Sequence, residues 1–99
     1  MGLPKYRAKA DANEAEIIKA LEQIGCAVWR LKRPVDLLIG YRGQTGLIEV
    51  KNPDGRNRIE PEQQEFIDNW KGNVYVVRTV DEAIAAAVRI AAHRPPEEF

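Results

Sequence analysis

Two short apolar segments of this chain carry charges at set positions. Asp36-Leu37-Leu38-Ile39-Gly40-Tyr41 opens on an acid, and Leu47-Ile48-Glu49-Val50-Lys51 places an acid and a lysine two residues apart. Side chains alternate along a strand, so Glu49 and Lys51 share one face while Ile48 and Val50 take the other. Paired as a hairpin, the segments bring Asp36 near Glu49. Two carboxylates beside an ammonium group offer a hard divalent cation a site and a phosphate a charged partner, the set that metal-assisted phosphodiester cleavage needs. Glu49 interrupts an otherwise apolar run, and an unpaired buried carboxylate is costly, so it needs a cation or Lys51 beside it. Lys51 in turn can polarise a water and steady negative charge on a phosphate, or form a plain salt bridge with Glu49. Both hold at once, since two neighbouring acids keep a lysine protonated. Asp36 by itself also reads as a turn residue after Pro34, and Glu49 as a solvated strand residue.

The elements that must position these residues follow from periodicity and breakers. A helix is expected from about Ala12 to Ile24, with Asp11 as N-cap and Gly25 as stop. Glu14 continues the apolar stripe of Ile18 and Leu21, which points it inward; Asp11-x-x-Glu14 equally fits a capping box. Ala27–Lys32 alternates as a strand, with Val28, Arg30 and Lys32 on one face and Trp29 and Leu31 on the other, and Pro34 ends it. The turn Arg42–Gly46 returns the chain into Leu47–Lys51. Pro61 suits the first position of a second helix, in which Gln63, Phe66, Ile67 and Trp70 share a face, with Phe66 and Trp70 expected in the core. Gln63 on that face can reach Lys51 or a phosphate oxygen, or satisfy local backbone groups. Val74–Val77 reads as a buried strand, and Val80 to about Arg94 as a closing helix that starts near Thr79 and ends at Pro95-Pro96. The order is α-β-β-β-α-β-α, an α/β domain with a mixed sheet flanked by helices.

With 99 residues, 44% apolar and 30% charged, the chain has the makeup of one globular domain whose modest core a partner subunit would help. No apolar run approaches the roughly 20 residues of a membrane span. The single cysteine, Cys26, excludes an intrachain disulfide and a cysteine-based zinc site, and points to a reducing, cytoplasmic setting. Net charge is zero, yet residues 1–58 hold eleven Lys and Arg against seven Asp and Glu, while residues 59–99 hold four against eight. Setting aside Glu14, Asp36 and Glu49 as site residues leaves the first part plainly basic. Lys5, Arg7, Arg42, Arg56 and Arg58, in an N-terminal arm (residues 1–10) and in turns, are the candidate phosphate contacts. Solvated surface charge is the plainer account of the same residues.

The ordered set resembles the PD-(D/E)xK nuclease superfamily and, within it, a stand-alone virus-type replication-repair nuclease (VRR-NUC) domain over residues 11–94. The resemblance is carried by Asp11-x-Asn13-Glu14, the apolar strand after Asp36, Tyr41-Arg42-Gly43, Ile48-Glu49-Val50-Lys51, and Pro61-Glu62-Gln63 followed by Phe66 and Trp70. The superfamily's adjacent Pro-Asp pair is here Pro34-Val35-Asp36. The resemblance implies Mg²⁺ or Mn²⁺ held by Asp36, Glu49 and the Val50 carbonyl, with Lys51, Gln63 and Glu14 completing the catalytic set. It further implies a structure-selective DNA endonuclease akin to a Holliday-junction resolvase, a homodimer acting on branched DNA in a bacterial or phage-infected cell. A general or flap-type endonuclease on the same fold, or a catalytically silent nucleic-acid-binding module, are its competitors. Residues 95–99 make a short acidic tail.

Overall fold

The computed structural model describes residues 5–53 and 59–93, with side chains from Asn13 onward. Seven elements follow in the expected order: α1 (Lys5–Gln23), β1 (Ala27–Arg30), β2 (Leu37–Tyr41), β3 (Gln44–Val50), α2 (Pro61–Asn69), β4 (Val74–Val77) and α3 (Val80–Ala92). They form an α/β domain around one four-stranded mixed sheet ordered β1-β2-β3-β4. β1 to β3 are antiparallel neighbours, and β4 joins β3 in parallel after the α2 crossover.

The β2–β3 hairpin sets the site's register. Tyr41 pairs with Gln44, so the connection is the two residues Arg42-Gly43, both at positive φ (54° and 82°). That primed turn matches the twist of the strands. It is tighter than the Arg42–Gly46 turn expected, and Gln44–Gly46 belong to the strand instead.

Alternation then divides the sheet. Leu37, Ile39, Tyr41, Ile48 and Val77 point to one face, where Ile17 and Leu21 of α1 and Ala83, Ala86, Ala87 and Ile90 of α3 close the core. Cys26 is buried there, and burial pushes its thiol pKa up. Gly46 also lies on this face, and a Cβ built there would come within 2.3 Å of Ile90 Cδ1, so the close approach of α3 needs a glycine. The opposite face carries Trp29, Leu38, Leu47, Glu49 and Lys51.

Three expectations are corrected. α1 starts at Lys5, so the basic stretch taken as an arm is helical up to Asp11, and Asp11 lies inside the helix instead of capping it. Alanines at 8, 10, 12 and 15 favour helix strongly enough to override a weak stop-and-start signal. The capping-box reading of Glu14 falls with the cap. Secondly, α2 ends at Asn69 and has no buried residue; Phe66 and Trp70 stack on each other, centroids 5.0 Å apart, with Trp70 45% exposed, and so are not core. The amphipathic period of a nine-residue helix shows which residues share a face but not whether anything covers it. Thirdly, β4 is an edge strand, with only Val77 fully buried. α3 keeps its expected start, Thr79 accepting from the Glu82 N–H. Among the described residues no helix is long and apolar enough to cross a membrane.

Candidate functional site

Asp36, Glu49, Lys51 and Gln63 converge at the open end of the β2–β3 hairpin. The last regular pair is Leu37 with Ile48, so Asp36 stands one step beyond it, opposite Glu49 and on the same face. Asp36 is locked by the backbone: its Oδ2 accepts the Val50 N–H at 2.8 Å, and its carbonyl accepts the Leu31 N–H at 2.7 Å. The valine between Pro34 and Asp36 is fully buried. Its burial fixes the segment, and the next residue, Asp36, falls on the opposite face.

Glu49 and Lys51 are almost wholly enclosed, 2% and 6% exposed. Their head groups lie 3.0 Å apart, an ion pair held by the two-residue spacing itself. The Lys51 backbone is fixed on both sides, its N–H donating to Val77 O at 2.8 Å and its carbonyl accepting from Asn13 Nδ2 at 3.0 Å. Gln63, in the first turn of α2, accepts from Lys51 Nζ through Oε1 at 3.4 Å and donates from Nε2 to Pro34 O at 3.4 Å. The same Oε1 accepts the Glu60 N–H, so Gln63 reaches Lys51 and also satisfies the helix start, as both sequence readings had it. The glutamine ties α2, the lysine and the segment before Asp36 into one unit.

Electrostatically the site is short of positive charge. Burial first and the Asp36 carboxylate second raise the Glu49 pKa from 4.5 to about 7, with Lys51 only partly offsetting them. Glu49 Oε1 is buried without a hydrogen-bond partner. A buried orphan carboxylate oxygen facing a second carboxylate is the fit that a hard cation needs, and the donors present are oxygens. Among the described residues no third acid, histidine or cysteine joins these two closely enough to share an ion. Among the described residues, Asp36 and Glu49 are the side chains placed to hold such an ion. Water would fill the remaining positions.

Other expected site residues are placed differently. Glu14 lies 3.7 Å from Arg30, which holds it in an ion pair; its α1 neighbour Asn13 makes the contact to Lys51. Arg42 is at the hairpin tip, its guanidinium 5.1 Å above the Tyr41 ring, with the length of β2 (about 17 Å at 3.3–3.4 Å per residue) between it and Asp36. Lys5 and Arg7 sit in the first turn of α1, and their side chains lie outside the described part. Arg56 and Arg58 fall outside the described residues. Reading the sequence missed Asn13 and the Val50 N–H as positioning groups. Asn13 beside Glu14 was the available hint; the backbone anchor becomes visible only once the strand register is known.

No family model, curated protein or solved structure matches this chain.

Proposed function

We propose that the chain is a divalent-metal-dependent endonuclease of PD-(D/E)xK type that hydrolyses DNA phosphodiester bonds. What supports this reading above all is the buried Glu49 oxygen without a partner, set against Asp36 and beside Lys51. A structural ion pair needs one acid for its lysine. Here there are two, and the surplus carboxylate costs stability unless something cationic shares it.

Asp36, Glu49 and the Val50 carbonyl would hold Mg²⁺ or Mn²⁺, which when bound supplies Lewis-acid polarisation of a phosphoryl oxygen and lowers the pKa of water. The chain's own residues do the rest. The Val50 N–H donates to Asp36 Oδ2 and keeps the carboxylate aimed. Glu49 holds the Lys51 head group in place, and Lys51 offers its positive charge to a phosphate oxygen or to the attacking water as charge builds on phosphorus. Gln63 restrains the Lys51 head group and closes the site on the α2 side. Hydrolysis breaks the P–O3′ bond, the 3′ oxygen takes up a proton, and the products are 5′-phosphate and 3′-hydroxyl ends.

A chain of 99 residues has little surface for reading base sequence. The reading therefore includes structure-selective cutting of branched DNA by a homodimer, whose two sites would act on symmetry-related strands. The test is an incubation with labelled four-way junction, flap, single-stranded and linear duplex DNA in Mg²⁺, Mn²⁺ or EDTA. Metal-dependent cutting, lost in Lys51→Ala and strongest on the junction, is the expected result. Binding without cutting under every metal condition overturns the enzyme; equal cutting of linear duplex overturns the junction preference. Sedimentation at several concentrations tests the dimer.

A further inference from the structure

Trp29 is the most exposed large apolar residue described, at 70%. Its register partner is Leu38, which pairs with Leu47, so the indole stands on the face that carries Glu49 and Lys51. The row of Asp36 and Glu49 is two residues further along, about 6.7 Å of strand. The chain then leaves β1 through Lys32 and Arg33 to Pro34. These three line a cavity of about 410 Å³ together with Glu60, Glu62 and Gln63, the glutamine that bonds Lys51. The cavity is thus joined to the catalytic lysine by one side chain. Arg33 is loosely held by Glu62 at 3.8 Å, with both side chains more than 80% exposed, a pairing that a phosphate can displace.

We propose that Trp29, Lys32 and Arg33 form a track for an unpaired DNA strand running into the site: the indole stacks a base, and the two cations take the phosphates that follow. An aromatic platform with cations spaced along one run is the pattern by which single strands are held without sequence preference. Segment 29–35 sets Lys32 and Arg33 after Trp29 and holds no acid, while Arg30 is taken up by Glu14 on the other face; this suits a polyanion better than an apolar protein partner. A paired duplex hides its base faces in the stack, so the platform selects substrates with an unstacked base next to the scissile bond. The inference deepens the nuclease reading and rests on it for the direction of the track. Binding itself requires no metal.

The experiment titrates the full chain, in EDTA, with a short oligothymidylate and with a short duplex while following tryptophan emission. Single strand should quench the emission, and the quenching should vanish in Trp29→Phe. Trp29→Ala should weaken single-strand binding by about 5- to 150-fold, the range for losing one stacked base, and leave duplex binding unchanged. Lys32→Ala and Arg33→Ala should each reduce the salt dependence of log K by about 0.7, whereas Glu62→Gln should tighten binding. Quenching that persists in Trp29→Phe, unchanged affinity in Trp29→Ala, or equal loss for duplex overturns the track. A change in sedimentation of Trp29→Ala with unaltered oligonucleotide affinity also overturns it and assigns the indole to self-association. Binding of this kind without cutting defeats only the nuclease; cutting with wild-type affinity in all three variants defeats only the track.

Discussion

Asp36 faces Glu49 across the open end of the β2–β3 ladder, one step past the Leu37–Ile48 pair, with Asp36 pinned by the Val50 N–H and Glu49 paired to Lys51. Like charges directly opposite in a ladder destabilise it. The fold accepts that cost just past the last described pair, on a face that otherwise carries Trp29, Leu38 and Leu47 along the same strands. The ordering of the pair is also defined: Asp36 takes a backbone hydrogen bond, so Glu49, the more buried of the two, is the one whose proton affinity rises.

That asymmetry predicts a pH-dependent stability for the metal-free protein. Between pH 4.5 and about 7 the folded state holds a proton on Glu49 that the unfolded chain has released. The unfolded state thus binds fewer protons, and stability falls as pH rises through this window, then levels off above it. The full effect is on the order of 3 kcal/mol at 1.36 kcal/mol per pH unit. Urea unfolding at pH 5 and pH 8 in EDTA measures it, and Glu49→Gln should flatten the difference. Equal slopes for the two proteins would show that Glu49 titrates normally.

A cation that satisfies the pair should reverse this loss. At pH 8, Mg²⁺ or Mn²⁺ at 100 times its dissociation constant adds about 2.7 kcal/mol, which for a domain of this size raises Tm by roughly 10–20 °C. Asp36→Asn and Glu49→Gln should each abolish most of the rise. Differential scanning calorimetry with and without EDTA reads it directly, independent of any nuclease assay.

Gln63 is a positioning residue in this arrangement, touching Lys51 but neither acid. Its removal should cost about one hydrogen bond's worth, 0.5–1.5 kcal/mol, expressed as a fall of up to about tenfold in kcat with KM little changed. Gln63→Ala should leave the pH dependence of stability intact, because the Glu49–Lys51 pair and Asp36 remain. A rise in KM alone would assign Gln63 to substrate binding instead.

Much of this could be read before any coordinates. The alternation in Leu47–Lys51 and the breakers at Gly25, Pro34, Pro61 and Thr79 specify elements locally, because the residues that define them lie within one turn or strand. Lys51 and Glu49 were legible for the same reason: a two-residue spacing is geometry in a strand. What failed depended on partners far along the chain. Phe66 and Trp70 have a core-like period yet stack on each other with Trp70 45% exposed, and the stripe gave no sign that Glu14 pairs with Arg30. Asn13 reaches Lys51 across 38 residues, a contact that no local pattern encodes. Arg42 reads as a phosphate contact because it is a basic turn residue, and the tight hairpin sets it at the far end of β2 from Asp36.

The closest packing in the core gives the sharpest test of the fold itself. Gly46 lies under Ile90, where an added methyl would sit 2.3 Å from Cδ1 and 2.7 Å from Cγ1. Ile90 is fully buried in α3 against β3, so the methyl forces the isoleucine off its packed rotamer or the helix off the sheet. Gly46→Ala should therefore destabilise by about 1–3 kcal/mol, the usual cost of overpacking. Ile90→Ala alone should cost about 2–5 kcal/mol through its cavity. The double variant should be less unstable than the two losses added, since the new methyl partly fills the space left by the isoleucine. Chemical denaturation of the four proteins gives the coupling, and strict additivity would mean that α3 does not seat on β3 at this glycine.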